Sequence, residues 1–303
     1  MAKWTASNIP PQKGRSAVVT GTGGLGFEDA LALARAGCEL IVAGRNAQKG
    51  AAAISKIRSE IPAANVRFEQ LDLASLESVA DFSARLRSQR DSLDLLINNA
   101  GVMVPPSRQE TADGFELQLG TNYLGHFALT GLLMPLLRNG RHARVVTLSS
   151  IAARDGALNF DDLNAEKSYR PMTVYSQSKL ACLMFAFELQ RRSDAAGWGV
   201  SSIAAHPGIA RTDLLHNAPG RRSAHGIART FLWFLFQPAW QGALPTLFAA
   251  TSRDAKGGGY YGPDRLSEAR GFPAEAKIPA QALDSVTWVR LWDVSQEFTG
   301  VVF

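Results

Sequence analysis

The sequence predicts an α/β fold, a single doubly wound parallel sheet with helices on both faces. Short apolar runs alternate with longer helix-forming segments along most of the 303 residues. Strands that alternate with helices at this spacing imply right-handed crossovers, and such crossovers join parallel strands. The composition agrees with a globular domain, because 46% of the residues are hydrophobic and 19% are charged.

The first half of the chain alternates three strands with three helices. Residues 16–20 (SAVVT) form an apolar run that ends in glycines, which is typical of a buried parallel strand. One helix-forming segment ends at Gly37 and another ends before Pro62, and both residue types terminate helices. The expected strands are 16–20, 39–43 and 66–70, and the expected helices are 28–36, 48–60 and 76–88.

The second half repeats this alternation without an internal repeat or a low-complexity linker. The expected strands are 94–98, 143–149 and 200–206, with a seventh open at 259–262, and the expected helices are 121–138 and 173–192. We therefore expect one Rossmann-type domain over residues 1–303. Its cofactor-binding and catalytic core is 14–212, and 213–303 carry a substrate lid and a C-terminal extension.

The charge balance narrows the range of partners. The chain has 32 Lys+Arg and 27 Asp+Glu, and the net charge of +5 is spread along the sequence. No basic run is long enough for a nucleic-acid-binding tail, so nucleic acid is not expected as a partner. A mildly basic surface suits a phosphate-bearing cofactor, although an ordinary surplus of surface charge explains the value equally well.

Few residues are available for disulfide or metal chemistry. Cys38 and Cys182 are expected to be buried thiols, with a single bridge between them as the alternative. The five histidines have no metal-ligand spacing with carboxylates, so we predict no metal site. The absence of a signal peptide and of an apolar run of about 18 residues predicts a cytoplasmic protein without an integral membrane segment. The sequence leaves open whether the protein forms a homo-oligomer.

The first chemical signal is the glycine cluster between the first strand and the first helix. Gly21, Gly23 and Gly26 match the spacing G-x-G-x-x-G. Glycines there let backbone N–H groups approach a pyrophosphate, and the helix N-terminus adds positive potential. A purely structural turn is the alternative, but the order strand, glycines, helix and strand favours a dinucleotide site.

The end of the second strand indicates which dinucleotide is bound. NAD-binding folds often carry an acid there for the ribose 2′-hydroxyl. This sequence has Arg45 instead, after Gly44. A guanidinium suits a 2′-phosphate, so NADP is favoured over NAD, with an ordinary surface arginine as the alternative.

The second chemical signal is a tyrosine and a lysine four residues apart. Tyr175 and Lys179 share one face of a predicted helix. A nearby ammonium stabilises a phenolate, which makes the pair a usable acid/base device. Ser149 and Ser150 follow the fifth strand at the sheet edge where open α/β folds bind ligands.

These motifs occur in a family-specific order over about 16–250. They are the glycine-rich turn, Asp72-Leu73, Asn98-Asn99-Ala100-Gly101, Asn122, Ser149-Ser150, Tyr175-x-x-Ser178-Lys179, and Pro207-Gly208 followed by Thr212. The sequence resembles the short-chain dehydrogenase/reductase family. It is most similar to the retinol-dehydrogenase-like members, because it has Asn122-Tyr123-Leu124-Gly125-His126-Phe127 and His206-Pro207-Gly208.

The resemblance implies a catalytic set of four residues. Tyr175 is the acid in ketone reduction and the base in alcohol oxidation, and Lys179 stabilises its phenolate and binds the nicotinamide ribose. Ser150 orients and polarises the substrate carbonyl, and Asn122 holds a water of the proton relay. Hydride transfer itself is the chemistry of the cofactor, while the protein supplies orientation and a matched proton donor.

The resemblance also implies the cofactor contacts. Asp72 faces the adenine, Asn98 lines the cofactor groove, and Thr212 supports the nicotinamide end. The full expected set is Gly21, Thr22, Gly24, Leu25, Gly26, Arg45, Asp72, Leu73, Asn98, Ala100, Gly101, Tyr175, Lys179, Pro207, Gly208 and Thr212.

Two features depart from the family pattern. The glycine turn is one residue short, so that Gly21, Gly24 and Gly26 align with the family glycines. Position 23 holds a glycine and not a basic residue, so recognition of the 2′-phosphate depends largely on Arg45. In addition, retinol-handling relatives often have a membrane-anchoring N-terminus that this sequence lacks, which favours a soluble enzyme with another substrate.

An aromatic run follows Thr212, where the family places its substrate lid. It contains Phe231, Trp233, Phe234, Phe236 and Trp240. A lid over a bulky apolar substrate and an ordinary core are equally good interpretations of this run, and a dimer or membrane contact is a third.

The predicted function is an NADP-dependent oxidoreductase that interconverts bulky apolar ketones or aldehydes and alcohols. NAD is the less favoured cofactor. The alternative is a non-catalytic NADP-sensing or scaffold protein on the same fold.

Overall fold

Eight strands form one sheet at the centre of the fold. The structure, a computed structural model, describes residues 3–211 and 237–303. The strands are β1 (Ser16–Thr20), β2 (Glu39–Gly44), β3 (Val66–Gln70), β4 (Leu95–Asn98), β5 (Arg144–Leu148), β6 (Ser201–Ala205), β7 (Tyr260–Arg265) and β8 (Arg270–Glu275). Their order is β3-β2-β1-β4-β5-β6-β7-β8. The winding direction therefore reverses between β1 and β4, and ligands of such sheets bind in the crevice at that point.

Helices cover both faces of this sheet. In the described ranges they are α1 (Gly24–Arg35), α2 (Ala47–Glu60), α3 (Leu76–Gln89), α4 (Gly125–Arg138), α5 (Pro171–Ala196), α6 (Ala239–Gly242), α7 (Leu244–Thr251) and α8 (Ser285–Thr299). One buried cluster joins α3, α4, α5 and α8 to one face, and a second joins α1, α2 and α7 to the other. Val18 of β1 belongs to the first cluster and its neighbours Ala17 and Val19 to the second. The predicted α/β fold is confirmed.

The structure departs from the predicted elements at the sheet edge. Strands β1 to β7 pair in parallel, whereas β8 runs antiparallel to β7. We did not predict β8, because Gly271 and Pro273 interrupt its pattern. Proline is tolerated there because an edge strand needs hydrogen bonds on one side only.

Two helix starts also differ, and both matter for the site. Helix α1 begins at Gly24 rather than at 28, because the glycine turn itself forms the start of the helix. The helix predicted over 121–138 begins with a π-helical turn, Leu119–Leu124, that leads into α4. Such wide turns occur mostly at functional sites.

Two further expectations concern the chain as a whole. Cys38 and Cys182 are both buried and both free thiols, as predicted. Among the described residues, no helix combines the length and apolar character that a membrane span requires.

Helix α1 carries an unusual buried acid. Asp29 is 0% exposed, and neither of its carboxyl oxygens has a hydrogen-bond partner among the described residues. Burial, with a smaller contribution from Glu28, raises the pKa of Asp29 well above its usual value. The unfolded chain releases this proton at ordinary acidic pH, but the folded chain retains it. Folding above the ordinary pKa therefore takes up a proton, and stability falls as pH rises through this window.

We expect Asp29→Asn to raise the free energy of unfolding at neutral pH by about 1–3 kcal/mol, because the neutral amide folds without the proton uptake that costs the parent about 1.4 kcal/mol for each pH unit above the ordinary aspartate pKa. The variant should also lose the decrease of stability that the parent shows as pH rises above the ordinary aspartate pKa. Urea unfolding across this pH range measures both effects, with Asp81→Asn on the exposed face of α3 as control. A variant that is less stable than the parent at every pH would contradict this assignment.

Candidate active site

A cleft of about 520 Å³ opens at the carboxyl edge of β1, β4 and β5. Its walls come from 21–25, 99–101, 148–152 and 207–210, and from Tyr175 and Lys179 of α5. Segments that are far apart in sequence meet here because parallel strands end at the same edge. The cleft brings together most of the predicted site residues: Gly21, Thr22, Gly24, Leu25, Ala100, Gly101, Ser150, Tyr175, Lys179, Pro207 and Gly208.

The glycine turn forms one end of this cleft. Gly21 and Gly24 have φ angles of 102° and 53°, which disfavour any other residue. A Cβ atom on Gly26 would lie 2.6 Å from the Gly21 carbonyl oxygen, so this position also requires glycine. Gly23, in contrast, has an extended backbone (φ −140°). The glycines that the geometry requires are therefore Gly21, Gly24 and Gly26, in the register that the family resemblance implies.

Helix α1 points its N-terminus into the cleft. Its N-cap is Gly23, which provides no capping side chain. Among the described residues, the first N–H groups of the helix thus have no side-chain partner at the position where 23–25 line the cleft. An uncapped N-terminus that faces a cavity is suited to an anion such as a phosphate.

Thr20 holds the glycine turn against the segment after β4. Its hydroxyl accepts the N–H groups of Asn99 (2.9 Å) and Ala100 (3.0 Å). The Asn99 amide in turn donates to the Thr20 carbonyl at 2.7 Å. Asn99 lines the cleft, whereas the predicted Asn98 does not. The Asn98 amide points into the core and donates to Thr130 at 3.0 Å.

Two basic side chains lie at the far end of the glycine turn. Arg45 follows β2 and is exposed, but it is not part of the cleft wall. Lys49, in the first turn of α2, does line the cleft, and sequence analysis missed it. A Cβ atom on Gly44 would lie 2.9 Å from the Thr22 methyl, so the glycine lets the turn approach this strand end.

The Asp72-Leu73 pair lies at the same edge but outside the cleft wall. The N–H of Leu71 donates to the Gly44 carbonyl at 3.0 Å. Asp72 and Leu73 therefore follow directly after a residue that is bonded to the end of β2, next to Arg45. The Asp72 carboxylate accepts the Ala74 N–H at 2.9 Å, and Leu73 is buried.

The other end of the cleft carries Tyr175 and Lys179 on one face of α5. Both are 5% exposed and both line the cleft. The Lys179 ammonium donates to the Leu148 carbonyl at 3.0 Å, which anchors it beside the end of β5. A Cβ atom on Gly101 would lie 3.7 Å from the Lys179 nitrogen, so this glycine keeps the space next to the ammonium open.

The two neighbouring serines have different environments. Ser149 is buried, and its hydroxyl donates to the Lys179 carbonyl at 2.8 Å. Ser150 lines the cleft and caps the following turn by accepting the Ala152 N–H at 3.2 Å. No described residue accepts a hydrogen bond from the Ser150 hydroxyl, so its proton is available for donation, as the family resemblance implies for the second serine.

Asn122 lies in the π-helical turn behind this end of the cleft. Its amide oxygen accepts the Val102 N–H (2.7 Å), and its amide nitrogen donates to the Val102 carbonyl and the Ser178 hydroxyl (both 3.0 Å). Ser178 in turn donates to the Tyr175 carbonyl at 2.8 Å. Asn122 thus fixes the segment after β4 relative to the face of α5 that carries Tyr175.

Sequence analysis assigned no role to His126, yet it joins this turn to the glycine turn. One ring nitrogen, Nδ1, lies 3.0 Å from the Asn122 carbonyl, which accepts only, so Nδ1 carries the proton. The other, Nε2, then accepts from the Thr20 hydroxyl at 2.9 Å. Burial lowers the pKa of His126 to about 4. A neutral imidazole therefore joins Asn122 to Thr20, and through Thr20 to the segment after β4.

Part of the predicted site lies outside the described residues. This holds for Thr212 and for the aromatic side chains Phe231, Trp233, Phe234 and Phe236. Of the aromatic run only Trp240 is described, and it is 53% exposed. The lid interpretation therefore stays a prediction.

Residues 15–222 match the family model of the short chain dehydrogenases. The chain belongs to this family.

Individual relatives cover nearly the whole length of this short-chain dehydrogenase. It is 42% identical to a polyprenol dehydrogenase of Mus musculus, with 96% of this chain and 86% of the relative covered. It is 38% identical to retinol dehydrogenase 13 of Mus musculus, with 95% and 84% covered. A solved structure of an uncharacterized protein from Mycobacterium paratuberculosis has a TM-score of 0.82 and 38% identity, covering 100% of this chain and 99% of that one. The predicted retinol-dehydrogenase-like membership is confirmed.

The cleft of this short-chain dehydrogenase fits a nicotinamide dinucleotide. The glycine cradle leaves space that any side chain would fill, and the uncapped N-terminus of α1 faces it. At the other end, Tyr175, Lys179 and Ser150 line the same cleft. The family and the donor set thus agree on an oxidoreductase that uses a nicotinamide cofactor.

Proposed function

We propose that this enzyme interconverts bulky apolar aldehydes or ketones and the corresponding alcohols, with NADP as its cofactor. The observation that carries the proposal is the joint placement of Ser150, Tyr175 and Lys179 in a cleft that begins at an uncapped, glycine-lined helix N-terminus. Binding of a dinucleotide alone requires only the glycine end of this cleft. A buried tyrosine and lysine with a free serine hydroxyl are the groups that carbonyl reduction requires in addition.

The chain supplies orientation and a proton. Ser150 donates its hydroxyl hydrogen to the substrate carbonyl oxygen, and Tyr175 transfers its phenolic proton to the same oxygen as negative charge develops there. Lys179, held by the Leu148 carbonyl, stabilises the resulting phenolate. The bound cofactor supplies the hydride. In the direction of alcohol oxidation Tyr175 acts as the base.

Asn122 contributes by position. Its side-chain amide is engaged by Val102 and Ser178, and its carbonyl accepts from His126 and from the Cys182 thiol at 3.2 Å. These bonds keep the π-helical turn and the catalytic face of α5 in one arrangement. The relay water that the family resemblance assigns to Asn122 is part of this proposal.

The substrate class follows from the side chains around the reacting end. Leu148, Ile151, Met103 and Met172 line the cleft there, together with Ile209. Met172 and Ile209 remain 47% and 42% exposed at its mouth. Apolar walls with an open apolar mouth suit a chain longer than the cleft itself, and the names polyprenol dehydrogenase and retinol dehydrogenase of the relatives support an isoprenoid-like substrate. Cytoplasmic localisation and a homo-oligomer remain predictions.

The test compares isoprenoid aldehydes of increasing length with short aldehydes and ketones, following NADPH consumption. We expect kcat/KM to rise with chain length, because each additional apolar contact contributes about 1–3 kcal/mol to discrimination. Ser150→Ala should lower kcat for every substrate, and Ser193→Ala, a buried serine that bonds the Val200 carbonyl, serves as control. If the protein binds NADPH but none of the carbonyl compounds leads to NADPH consumption, it is instead a non-catalytic NADP-binding protein.

A further inference from the structure

The hairpin of β7 and β8 ends in a strained turn next to the cleft. Three successive non-glycine residues at its tip, Leu266, Ser267 and Glu268, have φ angles of 51°, 53° and 67°. Such left-handed conformations cost free energy at residues other than glycine, and they persist only where surrounding contacts hold them. Contacts with neighbouring segments must therefore hold the hairpin tip in this conformation.

One set of contacts joins the tip to the 207–210 segment of the cleft wall. The Ile209 N–H donates to the Ala269 carbonyl at 2.7 Å. A Cβ atom on Gly208 would lie 2.4 Å from the same carbonyl oxygen, so the tip presses directly against this wall. Gln237 adds a second connection, because its side chain donates to the Pro207 carbonyl and accepts the Gly271 N–H at 3.1 Å.

Glu268 is the centre of a second set of contacts. Its carboxylate lies 2.9 Å from His206 Nε2 and 2.6 Å from an Arg154 guanidinium nitrogen, and it accepts the Lys277 N–H at 2.9 Å. Arg154 also donates to the Ser267 carbonyl at 3.1 Å. Arg154 belongs to the 3₁₀ turn Ile151–Asp155, which Ser150 caps. A single carboxylate thus connects the turn after Ser150 to the hairpin tip.

His206 carries this connection to the backbone of the 207–210 segment of the cleft wall. The ring is 0% exposed, and its Nδ1 accepts the Gly208 N–H at 3.2 Å. An Nδ1 that accepts carries no proton, so the proton is on Nε2 and is donated to Glu268. Burial opposes ionisation of Glu268, but the hydrogen bonds from His206 and the Lys277 N–H outweigh it and lower its pKa to about 2. A neutral imidazole therefore joins an ionised carboxylate to the Gly208 N–H.

We propose that Glu268 is a positioning residue for the reacting end of the cleft. Through His206 it orients the Pro207-Gly208 segment, and through Arg154 it orients the turn that begins at Ser150. Both segments line the cleft that would hold nicotinamide and carbonyl. The proposal rests on the proposed use of a nicotinamide dinucleotide, but its main readout is binding and not turnover.

The experiment compares the affinity of NADPH with that of ADP-ribose 2′-phosphate, which lacks only the nicotinamide. In Glu268→Ala we expect the affinity for NADPH to fall about tenfold, the equivalent of about one lost hydrogen bond, and the affinity for the fragment to stay unchanged. Glu268→Gln should be intermediate, because its amide oxygen still accepts from His206. Glu275→Ala, an exposed carboxylate on β8 of the same hairpin, is the matched control.

Two results would overturn the proposal. One is an equal loss of affinity for NADPH and the fragment, which indicates general damage to the cleft. The other is unchanged NADPH affinity in Glu268→Ala. If Glu268→Ala does not fold, the affinities for NADPH and the fragment are compared in Arg154→Gln and His206→Gln. The first variant removes the connection of Glu268 to the turn after Ser150, and the second removes its connection to the Pro207-Gly208 segment. Failure of the proposed function leaves a different signature, namely intact NADPH binding in the parent enzyme without carbonyl reduction.

Discussion

Replacing Tyr175 with phenylalanine is expected to lower kcat by at least about 100-fold, the usual contribution of a positioned general acid. The change removes one oxygen from a residue that lines the cleft at 5% exposure. The ring and the packing of α5 stay in place. NADPH affinity should therefore change little, because the glycine end of the cleft is untouched. Steady-state kinetics at saturating NADPH and a titration of NADPH binding measure the two effects separately.

Tyr169→Phe is the matched control for this loss. Tyr169 is a partly buried tyrosine near the start of α5, and its hydroxyl donates to the Pro105 carbonyl at 2.8 Å outside the cleft. We expect this variant to retain most of the parent kcat. Near-normal turnover in Tyr175→Phe, or an equal loss in both variants, would show that Tyr175 is not the proton donor.

The sequence could predict the features that depend on local pattern. Apolar strand runs, the glycine turn and the spacing of Tyr175 and Lys179 are all readable along the chain, and the structure places them as expected. Strand β8 escaped prediction because an edge strand need not be apolar on both faces and tolerates Pro273. Its pairing depends on β7, a tertiary partner that periodicity does not reveal.

The site residues that were missed share another cause. Asn99 rather than Asn98 lines the cleft because successive side chains of an extended segment point to opposite sides, and the motif alone does not say which side faces the ligand. His126 and His206 belong to family motifs in the sequence and have no metal-ligand spacing, so the sequence assigns them no individual role. Each instead joins two backbone segments through a fixed tautomer, and only the three-dimensional partners identify that role.

The proposed preference for NADP would depend on one predicted and one unpredicted residue. Arg45 is exposed at the end of β2, and Lys49 lines the cleft one helical turn later, so a 2′-phosphate beside Thr22 would lie between two cations. A charge-assisted hydrogen bond to phosphate contributes about 1.5–3 kcal/mol, which corresponds to roughly 10- to 100-fold in affinity. The sequence leaves this contribution largely to Arg45, and the position of Lys49 in the cleft wall adds a second candidate.

Arg45→Ala and Lys49→Ala should therefore each weaken NADPH binding by roughly 10- to 100-fold and barely affect NADH. The double variant should lose its preference for the 2′-phosphate, because both described cations at this end of the cleft are then removed. Titrations of both dinucleotides against the parent and the three variants give the full comparison. Lys56→Ala is the control, since this exposed lysine of α2 lies over the Phe27 ring and does not line the cleft. A parent enzyme that already prefers NADH would contradict the assignment of both residues. If only Arg45→Ala lowers the affinity for NADPH, Lys49 is merely a surface lysine at the rim.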